Sequence, residues 1–377
     1  MGVVRRWRRE AASAVVVRAR VHLNNVPSCP HGSLSTREVA EKGFTGREII
    51  DFSASCNPLG AAPGVLSAMR GVDPSRYPDD EAVELRRALA GVLGVPLEWI
   101  VVGNGSVELM WLLAMACLGA GDRALVVGPT FGEYARACRV VGAGVEETRA
   151  SEEDGFRVDP AAVCRALERA RPKLAFLCNP NNPTGRMLPT SEVARLLESC
   201  RQTLLVVDEA YLPFCESPPD LRPLLSSGRL LLLRSMTKDH GLAGVRLGYA
   251  VAPPEIVGWL RRVRPPWNVN AVAQKAGLAA LRDVAHVDEA RRVVAESRRY
   301  LAGQLSALGL TVVPSVANFL LVRVGHGASF RDALLARGVC VRDCASFGLP
   351  AYVRIGIRTM PECETLVDAV RKVLAHG

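Results

Sequence analysis

Short runs of consecutive aliphatic residues alternate along the middle of this chain with stretches whose apolar positions recur every three to four residues. Ile100–Val102, Ala124–Val127, Leu174–Leu177, Leu204–Val207, Leu230–Leu233 and Leu247–Val251 read as strands. Glu81–Leu93, Ser106–Leu118, Tyr134–Val141 and Ser191–Cys200 read as helices. Continuous Val/Leu runs separated by helices predict a mostly parallel sheet covered on both faces, a three-layer α/β/α unit. Past Pro253 the texture changes. Ala271–Leu281 and the charged stretch Val287–Leu305 predict helices, followed by a strand (Phe319–Val322), a helix (Ser329–Ala336), a strand (Tyr352–Ile357) and a closing helix (Glu362–Leu374). This predicts a smaller C-terminal α/β unit. The expected division is a basic tail (1–28), an N-terminal arm with a short helix at Thr36–Gly43 (29–80), a large domain (81–285) and a small domain (286–377). The boundary falls in the long helix near 285–295. Two domains suit 377 residues, a length beyond one simple core.

The net charge of +9 invites a nucleic-acid partner, but the basic residues are dispersed, which argues against one. The local excess is the head, with Arg5, Arg6, Arg8, Arg9, Arg18 and Arg20 against Glu10. It reads as a solvated tail or an early start codon, with an Arg-rich transit peptide as the alternative. No apolar stretch approaches the roughly 20 residues of a membrane span. The eleven cysteines sit mostly in apolar patterns and lack Cys-x-x-Cys or zinc-ligand spacing, so no metal is expected. Buried reduced thiols predict a cytoplasmic protein.

Four motifs fall just after strands, at the edge where open α/β sheets bind ligands. Gly103-Asn104-Gly105-Ser106 precedes a helix, and its free N–H groups suit a phosphate, although a plain helix-entry turn reads equally well. It is no dinucleotide fingerprint, because Glu108 stands where the third glycine belongs. Cys178-Asn179-Pro180-Asn181-Asn182-Pro183-Thr184-Gly185 ends its strand in a loop dense in amides, and Asn182 offers a donor to a ligand oxygen. Asp208 in Asp208-Glu209-Ala210-Tyr211 is an acid at the end of a buried strand, costly unless paired. It suits a pyridinium nitrogen; a helix cap is the competing reading.

The fourth motif is Ser235-Met236-Thr237-Lys238 with Arg246 downstream. Lysines are few (Lys42, Lys173, Lys238, Lys275 and Lys372), and Lys238 alone follows a buried strand and precedes a glycine-punctuated turn. An amine so held can lose its proton and attack a carbonyl, the chemistry of a Schiff-base lysine and pyridoxal phosphate. Ser-x-x-Lys also serves penicillin-binding enzymes, but their Ser-Asp-Asn and Lys-Thr-Gly partners are absent from this sequence.

In order and spacing these motifs resemble the class I/II aminotransferase superfamily of pyridoxal phosphate enzymes, fold type I, from about residue 29 onward. The resemblance implies that Lys238 bonds the cofactor and moves the Cα proton, and that Asp208 pairs with its ring nitrogen. Asn182 and Tyr211 bond the ring hydroxyl. Gly105, Ser106, Val107, Ser235 and Arg246 hold the phosphate, and Phe131 stacks on the ring. Tyr77 reaches the neighbouring subunit's cofactor, which implies a homodimer. Arg354 and Arg342 bind the substrate's anionic groups, with Asn57 and Gly60 lining the same site. Guanidinium forks suit carboxylate and phosphate alike, so a phosphorylated amino compound is expected.

Two branches compete. His31-Gly32 with Ile50 to Gly60, Pro265-Pro266-Trp267-Asn268-Val269-Asn270, and Arg354-Ile355-Gly356-Ile357-Arg358-Thr359 resemble threonine-phosphate decarboxylase, the expected activity. Gly241-Leu242-Ala243-Gly244 resembles histidinol-phosphate aminotransferase, the alternative, with other amino-acid aminotransferases behind it. Cys56 departs from both patterns. Related regulators that bind the cofactor without turnover carry a winged-helix domain, and no helix-turn-helix pattern precedes residue 50.

Overall fold

The computed structural model describes residues 20–375 except His31, Ser33, Ser35, Lys42 and 45–48. Most of the basic head, and His31 of the decarboxylase-like signature, therefore lie outside the described residues. The strands in chain order are β1 (Ile50–Asp51), β2 (Ile100–Gly103), β3 (Arg123–Gly128), β4 (Gly144–Arg149), β5 (Leu174–Cys178), β6 (Leu204–Asp208), β7 (Leu230–Ser235), β8 (Gly248–Val251), β9 (Thr311–Val313), β10 (Phe319–Arg323), β11 (Val339–Cys340), β12 (Arg342–Asp343) and β13 (Tyr352–Gly356).

The large unit is a seven-stranded sheet in the order β2-β8-β7-β6-β5-β3-β4. Only β8 runs against its neighbours. One apolar cluster packs each face. The first includes Val102, Val127, Leu177, Val207 and Leu232. The second takes the alternate residues of the same strands, such as Val101, Val126, Phe176, Val206 and Leu231. Period-two alternation with both faces buried is why these strands read as unbroken aliphatic runs. The sequence reading passed over β4, a half-exposed edge strand, Gly-Val-Glu-Glu-Thr-Arg. Charged residues on an edge blunt further pairing and erase the apolar signal. Helices at Pro63–Arg70, Pro160–Ala170 and Pro254–Val263 were also passed over. Each opens on a proline at its first position, tolerated there because that N–H has no partner within the helix.

The small unit is a four-stranded antiparallel sheet, β12-β13-β10-β9, packed on helices at Val284–Ala307, Gly327–Leu335 and Met360–Ala375. The N-terminal arm is knitted into it. β1 pairs in parallel with β11, and Phe52 is fully buried in the small unit's core with Leu301, Val353 and Leu366. The arm then crosses to the large unit, where the Asn57 N–H donates to the Lys238 carbonyl at 2.7 Å. The arm thus ties both units to the segment carrying the lysine.

Candidate active site

β5, β6 and β7 are parallel neighbours, so their C-terminal ends, Cys178, Asp208 and Ser235, open on the same edge of the sheet. The turn after β2 reaches this edge from across β8. Gly248 is in register with Gly103 on one side and Ser235 on the other. A Cβ at Gly248 would stand 2.4 Å from the Ser106 nitrogen and 3.0 Å from the Arg234 carbonyl oxygen. Glycine is therefore required for the helix beginning at Ser106 to abut the sheet. Gly105 enters that helix at φ +77°, and a Cβ there would lie 2.8 Å from Arg246 Nη2. The guanidinium is thus packed against the turn.

A cavity of about 480 Å³ gathers Ser106, Val107, Phe131, Asn182, Asp208, Tyr211, Ser235, Lys238, Arg246, Arg342 and Arg354. Gly105, in the turn just before Ser106, is not itself part of the cavity lining. Residues the sequence reading left unassigned also line it, among them Tyr134, Thr237, Cys29, Ala54, Cys56, Cys178 and Ser346. Tyr134 matters most. Its hydroxyl donates to Asp208 Oδ2 at 2.7 Å, and the Ala210 N–H donates to Oδ1 at 2.9 Å. Burial pushes the Asp208 pKa up; the Tyr134 hydroxyl, the Ala210 N–H and the Lys238 charge oppose that rise. Tyr134 is itself pushed well above the phenolic range, by burial and then by the Asp208 charge. The only sequence signal for this role was a tyrosine one turn past Phe131.

Lys238 Nζ lies 5.9 Å from the centre of the Tyr211 ring. Ser235 and Thr237 hydroxyls are 2.6 Å apart. Arg354 donates to Asn182 Oδ1 at 2.6 Å and to the Ser53 carbonyl at 2.8 Å, while its Nε is buried with no hydrogen-bond partner. Arg342 donates to the Pro30 carbonyl at 2.6 Å and to Ser346 at 2.8 Å. Its pKa is pushed down by burial and by the like charge of Arg354. Among the described residues no carboxylate pairs with Arg246, Arg342 or Arg354, so the cavity holds a surplus of positive charge.

Besides Gly105, three expected residues do not line the cavity. Asn57 is committed to the backbone: its amide donates to the Asp239 carbonyl at 2.7 Å and its oxygen accepts from the Leu59 N–H at 2.8 Å. Gly60 faces the other way, its carbonyl 2.9 Å from His286 Nε2. Both buttress the lysine segment, since a Cβ at Gly241 would lie 2.5 Å from the Gly60 carbonyl carbon. Ala54 and Cys56 supply the arm's contribution to the lining instead. Tyr77 is 79% exposed and stacks on Trp267 with ring centres 4.4 Å apart.

These groups fit pyridoxal phosphate. A helix N-terminus, the Ser106, Ser235 and Thr237 hydroxyls and Arg246 make an anion cradle. A buried carboxylate suits a protonated ring nitrogen, the Asn182 amide suits the ring hydroxyl, and the lysine amine stands in the same cavity.

Two of the segments that resemble the decarboxylase hold residues with structural partners. Arg358 donates to Glu362 at 2.6 Å and to the Asp51 carbonyl at 3.3 Å, outside the cavity lining. In the Pro265–Asn270 segment, Asn268 donates to Glu108 at 2.6 Å and Asn270 caps the following helix.

The sequence profile of the aminotransferase class I and II family matches residues 48–370. Histidinol-phosphate aminotransferase of Symbiobacterium thermophilum is 40% identical over 335 residues, covering 88% of this chain and 92% of its own length. The Moorella thermoacetica protein of the same name is 37% identical over 367 residues, covering 93% and 94%. Among solved structures, the histidinol-phosphate aminotransferase of Sinorhizobium meliloti in complex with pyridoxal-5'-phosphate superposes with a TM-score of 0.86 at 25% identity, covering 97% of this chain and 99% of that one. L-threonine-O-3-phosphate decarboxylase of Porphyromonas gingivalis gives 0.76 at 27% identity, covering 87% and 100%. These relatives support the aminotransferase alternative better than the decarboxylase that the local signatures favoured. The chain belongs to the class I and II aminotransferase family and is a pyridoxal-phosphate-dependent transaminase.

Proposed function

We propose that the amino donor is histidinol phosphate and that the acceptor is a 2-oxo acid such as 2-oxoglutarate. The observation that carries this reading is 40% identity to a histidinol-phosphate aminotransferase over 88% of the chain. The chemistry of the cavity agrees with it. Among the described residues Arg342 and Arg354 lack acid partners, so a substrate phosphate would supply negative charge to guanidinium groups already held by Pro30, Ser346, Ser53 and Asn182. The same pair accepts a carboxylate of the 2-oxo acid, which lets one site serve both half-reactions.

Bound pyridoxal phosphate supplies an electron sink for the pair left at Cα when its proton departs. Lys238, whose amine stands in the same cavity, would be the base that takes this proton. Asp208 would keep the ring nitrogen protonated, and the Tyr134 hydroxyl and Ala210 N–H favour its charged form against the burial that opposes it. Phe131, in the cavity lining, would cover one face of the ring. Loss of a proton rather than CO2 requires the Cα–H bond to stand perpendicular to the ring, and the arginines that anchor the substrate set that orientation.

The working unit we propose is a homodimer, with Tyr77, exposed and outside its own cavity, reaching the partner's site. The decarboxylase remains the second reading, on the strength of the Porphyromonas gingivalis structure. Offering histidinol phosphate and O-phosphothreonine side by side separates them. Product that requires 2-oxoglutarate and forms only from histidinol phosphate is expected. Release of CO2 from O-phosphothreonine without any 2-oxo acid would transfer the assignment to the decarboxylase.

A further inference from the structure

A second cavity of about 510 Å³ is lined by Asn179, Asn181 and Gly185 of the Asn-Pro loop and not by the lysine. Pro314–Val316 of the small unit form one wall, and the Val316 N–H donates to the Gly185 carbonyl at 3.0 Å. Two guanidinium groups face the cavity, Arg157 and Arg186. Arg186 Nε donates to the Gly155 carbonyl at 2.8 Å, and neither side chain has a carboxylate partner among the described residues. Both line the same cavity, and burial and then the Arg157 charge lower the Arg186 pKa. An anion between them would relieve that repulsion. A third polar group points to more than a bare anion. Glu192 Oε2 is buried and accepts no hydrogen bond, its nearest cation being Arg195 at 3.9 Å. A buried acceptor atom that has a distant ion pair but no hydrogen bond among the described residues favours a ligand that brings a donor. The remaining lining is largely apolar, including Val158, Leu177 and Leu188.

We propose that this interdomain cavity binds a small carboxylic acid with an apolar chain and a hydrogen-bond donor on the carbon next to the carboxylate. Its carboxylate lies between Arg157 and Arg186, its donor meets Glu192, and its chain rests on the aliphatic wall. The cavity is distinct from the catalytic one but shares the Asn-Pro loop with it: Cys178 lines both cavities, and the Asn181 N–H donates to the Arg186 carbonyl at 2.7 Å.

The test is calorimetric titration of the cofactor-loaded enzyme with 2-hydroxy-4-methylpentanoate, which lacks an amine and so cannot enter the transamination. Saturable binding is expected at millimolar concentration or below. It should weaken at least tenfold in the double variant Arg157→Gln/Arg186→Gln, and severalfold for 4-methylpentanoate, which lacks the hydroxyl. Activity of the double variant should match the parent, since neither arginine lines the catalytic cavity, and this confirms that it folds. No binding to the parent enzyme, or equal binding to parent and double variant, would overturn the proposal; the second result would place the ligand on Arg342 and Arg354. The outcome is independent of which amino donor the enzyme uses.

Discussion

Replacing Asp208 by Asn should uncouple stability from catalysis. The swap is nearly isosteric, and the Ala210 N–H still finds the side-chain oxygen that now lies 2.9 Å away. Tyr134, which donates to Oδ2 at 2.7 Å, needs only to turn its hydroxyl to accept from the new amide. The fold should therefore survive. What disappears is the buried carboxylate that, in the proposed mechanism, faces a positive ring nitrogen. Removing one member of a buried charge pair costs about 3–5 kcal/mol, roughly two to four powers of ten in turnover when it falls on the transition state. Without cofactor the sign reverses. Burial raises the Asp208 pKa in the folded protein, so the group favours folding below its unfolded pKa of about 3.9, and this stability is lost as pH rises through the folded value. At neutral pH the cofactor-free Asn variant should match or exceed the parent's Tm, and the advantage should vanish near pH 4. The assays are kcat at saturating substrates and thermal melts of stripped protein from pH 4 to 8. An unchanged kcat would remove Asp208 from the mechanism. A stripped variant less stable at pH 7 would refute the burial argument.

Tyr134→Phe removes a hydrogen bond to a charged acceptor, worth about 1.5–3 kcal/mol. The loss raises the Asp208 pKa further, so the acid limb of the kcat–pH profile should move to higher pH; a fall in kcat with no shift of that limb would contradict the role. Asn57→Ala leaves the Asp239 carbonyl and the Leu59 N–H short of a partner and should cost about 1–3 kcal/mol of stability. Its kcat should fall more than its KM rises, because Asn57 steadies the lysine segment and does not touch substrate. A large rise in KM alone would return Asn57 to the substrate site.

The large sheet is legible in the sequence because its strands are buried on both faces, which makes the central ones continuous aliphatic runs. Asp208, Ser235 and Lys238 stand out as candidates by their position after such runs, and the fold brings them to one cavity. What the sequence concealed was relational. β4 carries charge because it is an edge strand, so it has no apolar signature. The pairing of β1 with β11 joins residues some 290 positions apart, and local pattern holds no trace of it. Tyr134 reads as an ordinary helix residue until folding brings it to Asp208, 74 positions away. Asn57 and Gly60 lie close in sequence to Ala54 and Cys56, which do line the cavity; only the course of the arm assigns them to support. Arg358 matched a branch signature, yet it serves the first turn of the closing helix through Glu362. A motif match specifies residue types, and their partners decide what they do.

The central claim is that one amine, Lys238, shares a cavity with Asp208 and carries the cofactor. Borohydride reduction of the purified enzyme, followed by peptide mapping, tests it most directly. The account predicts a pyridoxyl group on the peptide containing Lys238, with loss of the visible absorbance; a label on Lys42, Lys173, Lys275 or Lys372 would contradict it.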